Sequence, residues 1–247
     1  MSFGVLFVLH QAPMLKWVPL MRLVLFDIDG TLLLTHGAGM RALNRAFENN
    51  RVRPDVLKTI RPDGKTDPQI VREIMKACNR DSECTSDMLT EFFDVYLSFL
   101  REEMAACTKM EVLPGVRKLL EELAEEPELG LGVATGNIEE GAYLKLRYAQ
   151  LDSFFAFGGF GSDSEDRTEV IRWAIARGAE RIAPEKVDAA FVIGDTPRDI
   201  LHGRAAGART IAVATGTYPL ETLKSYEPDL VVRTLEAAEP IKKLLLC

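Results

Sequence analysis

Short apolar runs recur along the chain, each emptying into small, polar or acidic residues. Leu23–Phe26 ends at Asp27, and comparable runs stand at Leu131–Ala134, Ala189–Ile193, Thr210–Val213 and Leu230–Val232. Continuous apolar stretches of this length, bounded by turn-prone residues, predict strands buried on both faces, as in a parallel sheet. Phe154–Phe157, closed by Gly158 and Gly159, is a weaker member of the set. Helical spacing predicts helices over Ile138–Gln150, Arg167–Arg177, Arg198–Ala206 and Pro219–Lys224. Strands alternating with helices imply βαβ units. The expected fold class is α/β, a Rossmann-like parallel sheet core.

One region breaks the alternation. From about residue 36 to 128 the pattern predicts helices and no strand: Met40–Glu48, Asp67–Cys78, Ser86–Ala106 and Pro114–Glu126. Pro68 and Pro114 stand in expected first turns, where a missing N–H costs little. The aromatic stripe of Ser86–Ala106 reads as packing rather than a cofactor box. The expected division is an α/β core of residues 21–35 and 112–247, an all-helical cap domain of residues 36–111, and an N-terminal extension of residues 1–20. The apolar run within that extension is far shorter than the roughly 20 residues of a membrane helix, and it lacks the flanks of a secretory signal. We expect the extension to be dispensable, so that a chain starting at Met21 folds and works.

Composition narrows the function classes. The 247 residues carry a net charge of −7, with 47% hydrophobic and 27% charged residues, as in a globular protein. An acidic chain offers no general field for nucleic acid or an anionic membrane surface. Cys78, Cys84, Cys107 and Cys247 form no C-x-x-C pair and are expected to be free thiols of a cytoplasmic protein.

The candidate chemistry lies at strand ends, the edge of a parallel sheet where ligands bind. Residues 27–31 read DIDGT, which places Asp27 and Asp29 on one side while Ile28 turns into the core. Two carboxylates so close repel unless a cation lies between them, which points to Mg²⁺. The next core strand ends in ATGN, where the Thr135 hydroxyl and the Gly136 amide can hold a phosphoryl oxygen. A third ends in GDTPRD, with Asp195 and Asp199 in a loop.

These residues resemble the haloacid dehalogenase superfamily of phosphohydrolases, and within it the phosphoglycolate-phosphatase group with a helical cap. DIDGT is similar to the family's D-x-D-x-T signature, Thr135 to its second motif and GDTPRD to its acidic fourth motif. The resemblance implies Asp27 as the nucleophile and Asp29 as the acid, then base. It implies Mg²⁺ held by the Asp27 and Asp195 carboxylates and the Asp29 backbone carbonyl, with Asp199 in support. The third motif is normally a lysine, and here the chain departs from it: Arg167 stands at the expected place, with Lys145 as the alternative phosphate-binding cation. Arg is always charged and binds phosphate through two N–H groups.

The GKTDP turn, residues 64–68, is expected to reach the site from the cap. Lys65 is a candidate for a substrate carboxylate and Thr66 for a hydrogen bond to it, although Thr66 or Asp67 capping the following helix accounts for the turn equally well. Arg41 and Arg45 read as solvated charges. The implied activity is hydrolysis of a small phosphorylated metabolite, 2-phosphoglycolate among the candidates, by a monomer or homodimer. A phosphosugar mutase of the same fold and a catalytically silent binding protein are the alternatives.

Overall fold

The computed structural model describes residues 21–52, 60–182 and 187–247. The expectation for residues 1–20 therefore falls outside the described residues. Six parallel strands form the central sheet: β1 (Met21–Phe26), β4 (Leu129–Ala134), β5 (Phe157–Gly159), β6 (Val187–Gly194), β7 (Arg209–Val213) and β8 (Leu230–Val232). Their order is β5-β4-β1-β6-β7-β8, so the winding reverses between β1 and β6, where a crevice opens at the carboxyl ends.

β1 is central because it is apolar on both faces. Val24 and Phe26 pack into one cluster, with Leu119, Leu120 and Leu123 of α4 (Val116–Ala124) and Ile241 and Leu245 of α9 (Ala238–Leu246). Leu23 and Leu25 pack into the other, with Ile171 and Ala174 of α6 (Arg167–Ile182). Alternation along one buried strand thus serves two helical layers.

Between β2 (Leu33–Leu34) and β3 (Glu111–Val112) the chain forms α1 (Ala38–Asn49), α2 (Asp67–Ala77) and α3 (Ser86–Ala105). These helices share their own apolar cluster, which includes Phe47, Ile74, Phe92 and Leu100. The aromatic stripe on α3 packs as expected: the Phe47 and Phe92 rings lie 4.7 Å apart. Arg41 and Arg45 are less free than their reading suggested. Arg41 Nε reaches Glu103 at 2.7 Å and Arg45 Nη2 reaches Glu102 at 2.5 Å, tying α1 to α3.

Three local differences have simple causes. The stretch expected to lack strands contains β3, which pairs antiparallel with β2 and joins the two ends of the helical insertion; two-residue strands carry no readable periodicity. β5 lies at Phe157–Gly159 rather than Phe154–Phe157, because a 3-10 turn takes up Asp152–Phe154 and it is residues 157–159 that pair with β4. α6 passes so close that a Cβ on Gly159 would sit 1.9 Å from the Val170 carbonyl oxygen. α4 starts at Val116 and not Pro114, since Gly115 turns the chain with φ +84°. The remaining helices, α5 (Glu139–Tyr148), α7 (Pro197–Ala205) and α8 (Leu220–Lys224), lie close to their expected spans. All four cysteines are free, and among the described residues no helix is long and apolar enough to cross a membrane.

Candidate active site

The Asp27 amide donates to the Ile193 carbonyl at 2.9 Å, so the strand pairing of β1 and β6 carries through to the first aspartate. The chain then turns sharply at Gly30, φ +86°, and the amides of Thr31, Leu32 and Leu33 fold back onto the Ile28 carbonyl. Only glycine fits at this turn: a Cβ on Gly30 would lie 2.5 Å from Asp195 Oδ2, and one on Gly216 would lie 1.7 Å from the same atom. Asp195 is therefore clasped between two backbones, with the Thr31 hydroxyl donating to its Oδ1 at 3.1 Å.

Asp27, Asp195 and Asp199 are buried, and a carboxylate oxygen from each lies within 4.8 Å of the others. Among the described residues, one cation pairs with them. Arg167 Nη2 donates to Asp27 Oδ1 and Asp199 Oδ1, each at 2.8 Å, and to the Ala134 carbonyl at 2.9 Å. Its Nε is buried without a partner among the described residues. The other oxygen of Asp199 accepts from the Thr196 amide at 3.1 Å and the Thr196 hydroxyl at 2.7 Å, closing a capping box on α7. Asp199 thus holds Arg167 and the helix start, while Asp27 Oδ2 has no hydrogen-bond partner among the described residues.

Three buried carboxylates against one guanidinium leave excess negative charge. Burial pushes the Asp27 carboxyl up to about 6, with Arg167 pulling it down and Asp199 pushing it further up. Asp195 is raised well above the ordinary carboxylate range, first by burial and then by Asp199 and Asp27. For Arg167, burial alone would lower the pKa, but Asp27 and Asp199 outweigh it and raise it. A hard divalent cation suits such oxygen donors, so the residues present fit Mg²⁺.

Asp29 faces the same cavity, of about 430 Å³, as Asp27, Thr135 and Asp195. Lys145, the alternative to Arg167, reaches Asp29 Oδ2 with its ammonium at 2.6 Å. Asn137, two residues beyond Thr135, donates to the same oxygen at 2.8 Å. Sequence reasoning assigned Asn137 no role, although it ends the ATGN motif.

The cap-side residues divide. Gly136 meets the 64–68 turn so closely that a Cβ would lie 2.0 Å from the Lys65 carbonyl oxygen. Thr66 is fully buried and caps α2, accepting from the Gln69 amide at 3.3 Å while its hydroxyl donates to the Glu165 carbonyl at 3.1 Å. Lys65 lines the cavity with its ammonium paired to Glu73. Asp67, expected only as a possible helix cap, and Tyr96, expected only to pack, also line it. Burial raises Asp67 to about 6 and raises the Tyr96 phenol well above its ordinary value.

An acidic cluster at the reversal point of a parallel sheet, with a hydroxyl lining the same cavity, is a donor set suited to a hard cation and an anionic ligand in an α/β fold. A family model described as haloacid dehalogenase-like hydrolase matches residues 24–213. The chain belongs to that family of hydrolases. It is 28% identical over 221 residues to a pyrophosphatase PpaX of Anoxybacillus flavithermus, covering 86% of this chain and 92% of the relative. Among solved structures it resembles a predicted phosphoglycolate phosphatase from Haemophilus somnus (TM-score 0.64, 17% identity, 90% of this chain and 98% of that one). It also resembles CbbY from Rhodobacter sphaeroides in complex with phosphate (TM-score 0.61, 19% identity, 88% and 96%).

Proposed function

We propose that this protein is a Mg²⁺-dependent phosphatase that hydrolyses a small phosphate monoester through an aspartyl-phosphate on Asp27. The observation that carries the reading is the buried trio of Asp27, Asp195 and Asp199 against one guanidinium, opening on a cavity shared with Asp29 and Thr135. The Asp27 and Asp195 carboxylates, with the Asp29 backbone carbonyl, would hold Mg²⁺, whose charge offsets repulsion between an anionic nucleophile and an anionic phosphate.

Arg167 holds Asp27 Oδ1 and leaves Oδ2 to attack phosphorus. The bond from phosphorus to the leaving oxygen breaks as Asp29 gives that oxygen a proton, and the Thr135 hydroxyl and Gly136 amide hold phosphoryl oxygens. Asp29 then takes a proton from water, which attacks the aspartyl-phosphate to release inorganic phosphate and free Asp27. Lys65 and its turn face the rest of the substrate. 2-Phosphoglycolate is one candidate, and the names of the pyrophosphatase relatives are the reason to test pyrophosphate beside it.

The test is phosphate release from p-nitrophenyl phosphate, 2-phosphoglycolate and pyrophosphate with and without Mg²⁺. Metal-dependent release that falls about 10³-fold or more in Asp27→Asn is expected. Equal release by the variant would sink the reading. So would conversion of a hexose 1-phosphate to its 6-phosphate without free phosphate.

A further inference from the structure

Arg167 contacts the proposed nucleophile, and among the described residues Lys145 is the other buried cation. Lys145 lies in the last turns of α5 with its side chain buried, a position that is costly for an ammonium unless its charge is met. It is met by Asp29 Oδ2 at 2.6 Å and by Asn137 Oδ1 at 2.7 Å. An ammonium only donates, so the Asn137 amide must turn its oxygen to Lys145 and its nitrogen the other way. That nitrogen donates to Asp29 Oδ2 and to Thr135 Oγ1, both at 2.8 Å.

The consequence for Asp29 is one-sided. Both donors fall on Oδ2, and Oδ1 has no hydrogen-bond partner among the described residues. The side chain keeps 42% of its surface exposed at the cavity. Thr135 Oγ1, having accepted from Asn137, keeps its hydrogen for another acceptor.

We infer that Lys145 and Asn137 are positioning residues that clamp Asp29 by Oδ2, so that Oδ1 meets the leaving oxygen of the substrate. The inference rests on the phosphatase reading above. The two buried cations then divide the work: Arg167 orients the attacking carboxylate and Lys145 the carboxylate that moves protons. Asn137 links the second set to the phosphate-holding hydroxyl.

Leaving groups separate this role from a structural or phosphate-binding one. kcat/KM reports steps up to the first phosphoryl transfer. In that transfer p-nitrophenolate departs unaided, whereas an alkoxide needs the proton from Asp29. In Lys145→Met with excess Mg²⁺, kcat/KM for glycerol 1-phosphate is expected to fall about 10²-fold. For p-nitrophenyl phosphate it should fall less than about threefold, with kcat and KM dropping together because Asp29 still has to activate water. Lys145→Gln, which keeps a polar end and no charge, is measured alongside and should show the same split if the methionine variant does not fold. Equal losses of kcat/KM for the two esters, or no loss for either, would overturn the inference. Wild-type protein that releases no phosphate from either ester with Mg²⁺ would instead remove the phosphatase reading on which it rests.

Discussion

Asp67 shows how one side chain couples the helical insertion to the core. Its carboxylate accepts from the Ile138 amide at 2.9 Å, and its own amide donates to the Gly136 carbonyl at 2.7 Å. Burial raises its carboxyl from 3.8 to about 6, against the pull of Lys145. The folded state therefore holds this proton more tightly than the unfolded chain does. Stability from Asp67 is fullest below the unfolded value of 3.8 and declines as pH rises to about 6. An asparagine oxygen can still accept from Ile138 and carries no charge. Asp67→Asn should accordingly raise Tm by a few degrees at pH 8, with the gain gone below about pH 4. Thermal melts across that range check it, and a gain independent of pH would refute the assignment. None of this was legible in the sequence, where Asp67 was no more than a helix cap. Asp27, Asp29, Thr135 and Asp195 were legible because each follows an apolar run by one to three residues, so the strand itself places them. Lys145 was legible only as an alternative phosphate-binding cation and Asn137 not at all. Their meeting at Asp29 Oδ2 depends on how the loop after β4 and α5 sit beside the loop after β1, and no spacing encodes that.

At the level of elements, the strands and helices read best where apolar period and length agree, as in β1, β6 and α3. They read worst where a contact with another element decides the structure. β2 and β3 exist only as each other's partner, and the glycine-rich β5 is a strand through its pairing with β4. α9 went unread although Ile241 and Leu245 bury its apolar face against the sheet. The junction between the loop after β4 and the turn before α2 depends on contact in the same way. A Cβ on Gly136 would meet the Lys65 carbonyl oxygen at 2.0 Å, backbone against backbone, so one of the two segments must move. Gly136→Ala should cost about 2 kcal/mol or more of stability by urea titration. It should also lower kcat/KM, since Thr135 is the adjacent residue. Unchanged stability would mean that the two segments are not packed in solution as they are here.

For the molecule as a whole, the net charge of −7 gives no general attraction for anions, so the proposed phosphate ester would depend on a local device. The device is acidic too, and that sets a condition on its charge. Without a cation, Asp27 and Asp195 ionise inside the protein only at a cost, which is why burial raises both. Raised folded values mean that the metal-free protein gives up stability as pH climbs through about 6, the value for Asp27. At the proposed metal site a divalent cation would bind the ionised pair and would have to displace protons below that pH. The gain in Tm on adding Mg²⁺ to protein treated with EDTA should therefore be small at pH 5 and grow through pH 7.5. At a concentration about 100 times Kd, binding contributes about 2.7 kcal/mol, or several degrees for a chain of this size. Asp195→Asn removes one of the two ionised donors and should abolish most of the gain while raising Tm in EDTA at pH 7.5. A Mg²⁺ effect that is flat with pH, or that survives in Asp195→Asn, would place the ion elsewhere. If the gain follows the ionisation of this cluster, then the feature that strains the metal-free fold is the one that lets an acidic protein attract a phosphate ester.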